Sequence, residues 1–222
     1  MRPWPFFREG GVPPQATMER DRALFEEVIS GAIPGFLRVY GWAVPAVTTG
    51  YHQKDFPLFD PTLDLPVLRR PTGGGAVLHV DDVTFSLAAR AGDVLPARVE
   101  AAGLLVTSAV RTALNACGIH ATMDGKNRTF SDVCFARSTP LELAVDGSKV
   151  MGLALALRRS HVLLQGVIPL RVDRALSRRV FGPQAPEGAK GLLEISGSFD
   201  PDRFVELLRE NLARALRVPA FA

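Results

Sequence analysis

The feature that most limits what this chain can become is Arg69-Arg70-Pro71-Thr72-Gly73-Gly74-Gly75-Ala76-Val77-Leu78-His79, where three consecutive glycines separate a basic pair from an apolar run. Without a Cβ, such backbone can take positive φ and lie directly against another surface. Its N–H groups can form a concavity for a phosphate, a carboxylate or a developing oxyanion, and Arg69 and Arg70 could add charged forks. The same composition also suits a plain turn between two strands with solvated arginines. It fits neither G-x-G-x-x-G nor the P-loop pattern G-x-x-x-x-G-K-S/T, so readings as either nucleotide site lack support.

The pattern on either side mixes helix and strand. Residues 1–16, with Pro3, Pro5, Pro13 and Pro14, read as an irregular lead-in. Thr17 is placed to N-cap a helix over about 18–30, with Leu24, Phe25, Val28 and Ile29 on one face and Gly31 to stop it. Strands are expected over 36–40 and 46–51, then a loop over 55–65. Ala76-Val77-Leu78 leaves the glycine turn as a strand, and Asp81-Asp82 turns into another over 83–89. A broad apolar face from Val99 to Leu114 predicts a helix over 96–117, closed by Gly118. After a polar loop over 125–131, segments 141–145, 149–157 and 161–170 read as a three-stranded meander turning at Asp146-Gly147 and Arg158-Arg159-Ser160. Residues 182–190 read as a loop, and a last helix over about 201–216 turns Phe204, Val205, Leu207, Leu208 and Leu212 inward. These elements predict a single α+β domain over 1–222: a mixed, largely antiparallel sheet with helices packed on one face.

Composition narrows the function classes. At 47% hydrophobic and 22% charged residues the chain has ample material for a core, while no apolar run approaches the roughly 18 residues of a membrane span. The start, MRPWPFFREGG, lacks the apolar helix of a signal peptide, so a cytoplasmic protein is expected. A net charge of +3 without a basic run argues against nucleic acid and suits, at most, an acidic protein partner. The four histidines have no metal-ligand spacing, so no metal site is expected.

Few residues here could carry chemistry. Cys134 follows a polar loop and reads either as a small buried hydrophobe or as a nucleophile beside a group that favours its thiolate. Cys117, on the apolar side of a helix end, belongs to the core. Lys149 begins a strand after Asp146-Gly147; it is either a solvated hairpin lysine or one facing a cleft, with Gly152 and the small Ala154 letting a ligand approach. His79 reads as a hydrogen-bonded partner of Asp81 and Asp82 more readily than as an acid/base group. The two aspartates read as turn residues rather than metal ligands.

At these residues the sequence resembles the biotin/lipoate protein ligase and octanoyltransferase superfamily. The glycine stretch is similar to that family's R-R-x-S/T-G-G-G/R-A-V-x-H segment, and Asp146 to Gly152 to its D/E-G-x-K-I/V-x-G segment. Leu37 to Trp42 and Gly50 to Lys54 resemble two earlier family elements, in the family's order. Cys134-Phe135, Glu142-Leu143 and Lys149 match the C-F-x6-E-L-x-V-D/E-G-x-K spacing of octanoyltransferases that use a cysteine and a lysine. Five positions depart: Gly75 stands where those transferases often carry arginine, Val80 follows His79 where the family usually has aspartate, Leu153 and Leu155 replace polar residues after the lysine, and Gln165 replaces a histidine before Gly166.

The resemblance implies the family's catalytic-domain fold and two-step acyl transfer. Cys134 would take octanoyl or lipoyl from acyl carrier protein and pass it to a lysine of a lipoyl domain or of the glycine cleavage H protein. Lys149 would favour the thiolate and hold the acyl carbonyl, with backbone N–H groups near the glycine turn or Gly152 at the oxyanion. Arg69, Arg70, Thr72, Gly73, Gly74, Gly75, Ala76, Val77, His79, Gly152 and Ala154 would form the substrate site, and Val77 and Leu78 would wall an acyl tunnel. No cofactor is needed on that reading. A lipoate–protein ligase using ATP and Mg²⁺ is the alternative, with Arg69, Arg70 and Gly75 at an adenylate phosphate. A third possibility is a non-catalytic relative that binds acyl group or partner. No nucleic acid and no membrane is implied in any case.

Overall fold

The computed structural model of the protein describes residues 3–54, 56, 58–123, 131–136 and 139–222. Through these run, in chain order, β1 (Phe6–Val12), α1 (Pro14–Ser30), β2 (Gly35–Trp42), β3 (Ala46–Thr49), β4 (Val67–Arg69), β5 (Val77–His79), β6 (Asp81–Arg90), α2 (Val99–Ala116), β7 (Thr122–Met123), β8 (Leu143–Val145), β9 (Ser148–Arg158), β10 (His161–Arg171), α3 (Arg174–Phe181), α4 (Leu192–Ile195) and α5 (Pro201–Leu216).

A seven-stranded sheet has the order β1-β2-β6-β10-β9-β8-β7, and a three-stranded sheet the order β4-β3-β5. The β1–β2 and β3–β4 pairs are parallel; β2–β6, β6–β10, β10–β9, β9–β8, β8–β7 and β3–β5 are antiparallel. The mixed, largely antiparallel α+β architecture of one domain is therefore present, with a small second sheet carrying the glycine stretch. The meander is β8, β9 and β10, and its second turn places both Arg159 and Ser160 at positive φ, as a two-residue hairpin loop requires.

Helices cover both faces rather than one. Successive strand residues point to opposite sides. Leu37, Val39, Phe85, Leu87 and Leu164 meet Val106, Val110 and Leu114 of α2 and Phe204, Leu208 and Leu212 of α5. Phe36, Ala88 and Leu163 leave a second apolar face, which Leu24, Phe25 and Val28 of α1 cover.

The expected irregular lead-in is ordered. β1 extends the sheet beside β2, and Trp4 N–H donates to Ala220 O at 2.9 Å, tying this end of the chain to the other. α1 starts at Pro14, four residues before the expected helix, because proline at the first helical position has its φ already set and lacks only an N–H that would be unbonded there. Thr17 lies inside the first turn, its hydroxyl donating to Pro13 O at 3.1 Å. β6 begins at Asp81 itself, since Asp81 and Asp82 pair across to Arg171 and Pro169. The span 182–190 contains a 3-10 turn at Gly182–Gln184. The polar loop expected over 125–131 lies, except for Ser131, outside the described residues. Among the described residues no helix is long and apolar enough to cross a membrane.

Candidate active site

The glycine stretch joins the Cys134 segment backbone to backbone. Gly74 takes φ 94° at the turn, and from there the chain runs so close to residues 132–134 that a Cβ on Gly75 would stand 2.8 Å from Asp132 O and 2.9 Å from Cys134 N. The approach lets Ala76 N–H donate to Asp132 O at 2.6 Å and Cys134 N–H donate to Ala76 O at 2.8 Å. Gly75 therefore has no room for the arginine found in similar transferases. The departure at this position follows from the backbone beside it.

Both arginines bind the protein's own carbonyls. Arg70 is buried, and its Nη2 donates to Gly73 O at 2.6 Å and Gly75 O at 2.8 Å, while Nη1 donates to Thr48 O at 3.2 Å. Arg69 Nη1 donates to Tyr51 O and to Gln53 O. The forks expected to face an anion hold the turn in shape instead.

Cys134 opens a 3-10 turn, Cys134–Ala136, and is half-buried. Its sulfur rests over Gly152, where a Cβ would stand 2.9 Å from Sγ. Lys149, at the start of β9, brings Nζ to 3.6 Å from Cys134 Sγ and donates to Cys134 O at 2.6 Å. The same ammonium donates to Glu142 Oε1 at 2.5 Å and lies 5.1 Å from the Phe135 ring centroid. Two residues fifteen apart in the chain thus share one site, as their family-like spacing implies.

Beside the sulfur lies a small, mainly apolar pocket bounded by Met18, Trp42, Val77, His79, Gly152 and Ala154 among others. Leu78, expected as a second wall, packs instead with Ala76, Val133 and Phe181 beside a separate pocket that Val77 also borders, as side chains two apart on a strand share a face. His79 is fixed between Asp82 Oδ2 (2.9 Å from Nδ1) and Thr48 Oγ1 (3.0 Å from Nε2), and its ring stacks on Trp42 at 4.1 Å. Arg69 and Gly73 lie on an outer groove beyond the turn, so they are apart from the sulfur.

Thr72 acts from inside. Its hydroxyl donates to Gln165 Oε1 at 2.6 Å, and Gln165 Nε2 donates to Asp21 Oδ2 at 2.7 Å. Asp21 also accepts from Arg38 Nη1 at 2.7 Å, Tyr40 OH at 3.0 Å and Ser86 Oγ at 2.8 Å. Burial pulls the Arg38 guanidinium down, but Asp21 and Glu9 outweigh it and the net shift is upward. Burial, reinforced by the Asp21 charge, pushes the Tyr40 phenol well above its ordinary range. The Gln165 departure thus closes a buried polar chain from α1 to the glycine turn. The other thiol, Cys117, is pushed up by burial in the core.

A model of the lipoyl protein ligase A/B catalytic domain matches residues 13–217. The chain belongs to that family. Among relatives, an octanoyltransferase LipM of Exiguobacterium sp. is 33% identical over 184 residues, covering 77% of this chain and 67% of its own length. One from Anoxybacillus flavithermus is 31% identical over 193 residues, covering 80% and 69%. Among solved structures, lipoate-protein ligase A bound with ATP superposes with a TM-score of 0.77 at 20% identity, over 100% of this chain and 88% of that one. A biotin protein ligase from Aquifex aeolicus gives 0.51 at 14% identity, over 98% and 71%. These superpositions establish the catalytic-domain fold shared by the lipoate and biotin ligases.

Two site features escaped the sequence reading. Asp21 sits on the apolar face of α1, between Thr17 and Phe25 at helical spacing; a lone acid on a buried stripe was the signal available. Glu142 stood inside the family-like spacing without a role, because nothing local says which cation it meets.

Proposed function

We propose that the protein is an octanoyltransferase of protein lipoylation, acting through a Cys134 thioester. The observation that carries this reading is the thiol at the mouth of an apolar cavity with an ammonium 3.6 Å from its sulfur. A thiolate is the reactive form of cysteine, and an adjacent cation favours it. Cys134 Sγ attacks the thioester carbonyl of octanoyl-acyl carrier protein; a new C–S bond forms, the donor's C–S bond breaks, and the departing carrier thiolate takes up a proton. The neutral ε-amine of a lipoyl-domain or H-protein lysine then attacks the acyl-enzyme. A C–N bond forms, the Cys134 thiolate leaves, and the amine loses a proton to solvent. Cys134 N–H is already bonded to Ala76 O, so on this reading the positive charge of Lys149, beside the sulfur, offsets the charge that develops on the carbonyl oxygen. The octanoyl chain occupies the cavity past Val77, Gly152 and Ala154. The names of the sequence relatives support the same activity, and the reaction requires no cofactor.

The ligase alternative, with ATP and Mg²⁺, draws on the fold shared with lipoate-protein ligase A. The inward contacts of Arg70 and the backbone packed on Gly75 favour the transferase.

Intact mass after mixing with octanoyl-acyl carrier protein, without ATP, tests the proposal. Wild type is expected to gain about 126 Da, the octanoyl increment, and Cys134→Ala to gain nothing. An unmodified wild type that instead acylates a lipoyl domain from ATP and lipoate would replace the transferase by the ligase.

A further inference from the structure

Lys149 needs something to keep it beside the sulfur. Its flexible stem carries a strongly hydrated point charge, and the lysine borders an open groove with Ser148, Gly147 and Glu187 in which the ammonium could be hydrated. We infer that Glu142 is the positioning residue of the Cys134–Lys149 pair, holding the ammonium over the sulfur; the inference rests on the transfer reading above.

Three observations carry it. The Glu142 carboxylate is nearly buried and has a separate partner on each oxygen: Oε1 accepts from Lys149 Nζ at 2.5 Å and Oε2 from Thr139 N–H at 2.8 Å. The acid is therefore held before it holds the lysine. Next, the register between β8 and β9 shifts at this point, with Ala144 opposite Lys149 but Leu143 opposite Met151. An extra residue on one strand bends it and re-aims its side chains, and here the irregularity lies where Lys149 must reach across to Glu142. Finally, the Nζ that meets Glu142 also meets Cys134 O and Sγ, so moving the carboxylate moves the charge at the sulfur. Among the described residues, the charged and titratable groups around the pair are Arg70, His79 and Tyr40 across the apolar cavity, Glu187 on the rim of the open groove, and Asp132 in the segment before Cys134. Glu142 is, among the described residues, the acid in contact with Nζ.

The test compares wild type, Glu142→Ala, Glu142→Gln, Lys149→Met and the Glu142→Ala/Lys149→Met double variant in the full chain. The rate of Cys134 alkylation by iodoacetamide is followed across pH by peptide mass spectrometry, with Cys117 as the internal reference. Single-turnover acylation is measured alongside. Glu142→Ala is expected to move the Cys134 alkylation profile to higher pH, as Lys149→Met does, and to slow acylation about 10- to 100-fold, the usual cost of removing a group that orients a functional side chain. Glu142→Gln, which keeps an acceptor for the ammonium, is expected to lose less. In the Lys149→Met background the glutamate change should move the profile no further, because the two act as one unit. An unchanged profile in Glu142→Ala beside a moved one in Lys149→Met, or shifts that simply add, overturns the inference. If Glu142→Ala does not fold, the Glu142→Gln profile decides, with a wild-type profile at unchanged acylation rate counting against the role. Alkylation needs no acyl donor, so a wild type that forms no acyl-enzyme sinks the transfer reading separately.

Discussion

Asp21 and Glu142 are both buried carboxylates bound to a cation, and they differ in what else the cation touches. Asp21 is fully buried and accepts from Arg38, Tyr40, Ser86 and Gln165, so its charge is spread over donors from β2, β6 and β10. Arg38 is a rigid fork with further bonds to Glu9 and to Thr17 O. Such a cluster has one arrangement, and it locks α1 and the glycine turn to the sheet. Glu142 instead holds a flexible lysine whose other contacts include a thiol at a cavity mouth. An arginine hub with every guanidinium nitrogen bonded is a structural device, whereas a lysine shared between a carboxylate and a sulfur keeps its charge beside the reacting atom.

Variants can break this contrast. The largest effect is expected at the sulfur: Cys134→Ala should abolish acyl transfer, and Lys149→Met should slow it by about 10²- to 10⁴-fold, the range usual for losing a group that acts directly on the reacting atoms, beside some loss in the urea midpoint from the Glu142 carboxylate it leaves behind. Asp21→Ala should act on stability first. It leaves Arg38 as a buried charge with a lost partner and is expected to cost about 3–5 kcal/mol in urea unfolding, as breaking buried pairs does. Gln165→Leu sharpens the point, because it removes only the link between Asp21 and Thr72. A loss of about 1–3 kcal/mol is expected from the Thr72 hydroxyl left without its acceptor, while Asp21 Oδ2 keeps its bond from Tyr40 OH, with Cys134 alkylation unchanged. The smallest effect belongs to a surface pair, Asp60 with Arg179. The Thr62 hydroxyl, then Arg179, lower the Asp60 carboxyl from 3.8 to about 2. A depressed value means that its contribution is complete above 3.8 and disappears as pH falls through about 2. A carboxyl-carbon titration by NMR should show that midpoint, and Arg179→Ala should move it up.

Legibility in the sequence followed the range of each interaction. α2, α5, the β8–β10 meander and its hairpin turns were readable because their causes are local: an apolar stripe at helical spacing, alternation at period 2, and turn residues between. The glycine stretch was readable as a place of close approach, and Cys134 and Lys149, through the family resemblance, as a candidate site. Everything that needed the sheet order was not. Whether Gly75 faced a ligand or the Cys134 backbone, whether Arg70 turned outward or inward, and which of Val77 and Leu78 walled the cavity depended on what lay across the fold. The Asp21 hub shows the reason most plainly. Asp21 and Gln165 are 144 residues apart and Thr72 and Gln165 are 93 apart, so no local pattern records their meeting. Local sequence set the period and ends of the elements, within a few residues; the order of β2, β6 and β10 in one sheet decided which buried charges met, and on which side of the glycine turn the chemistry was placed.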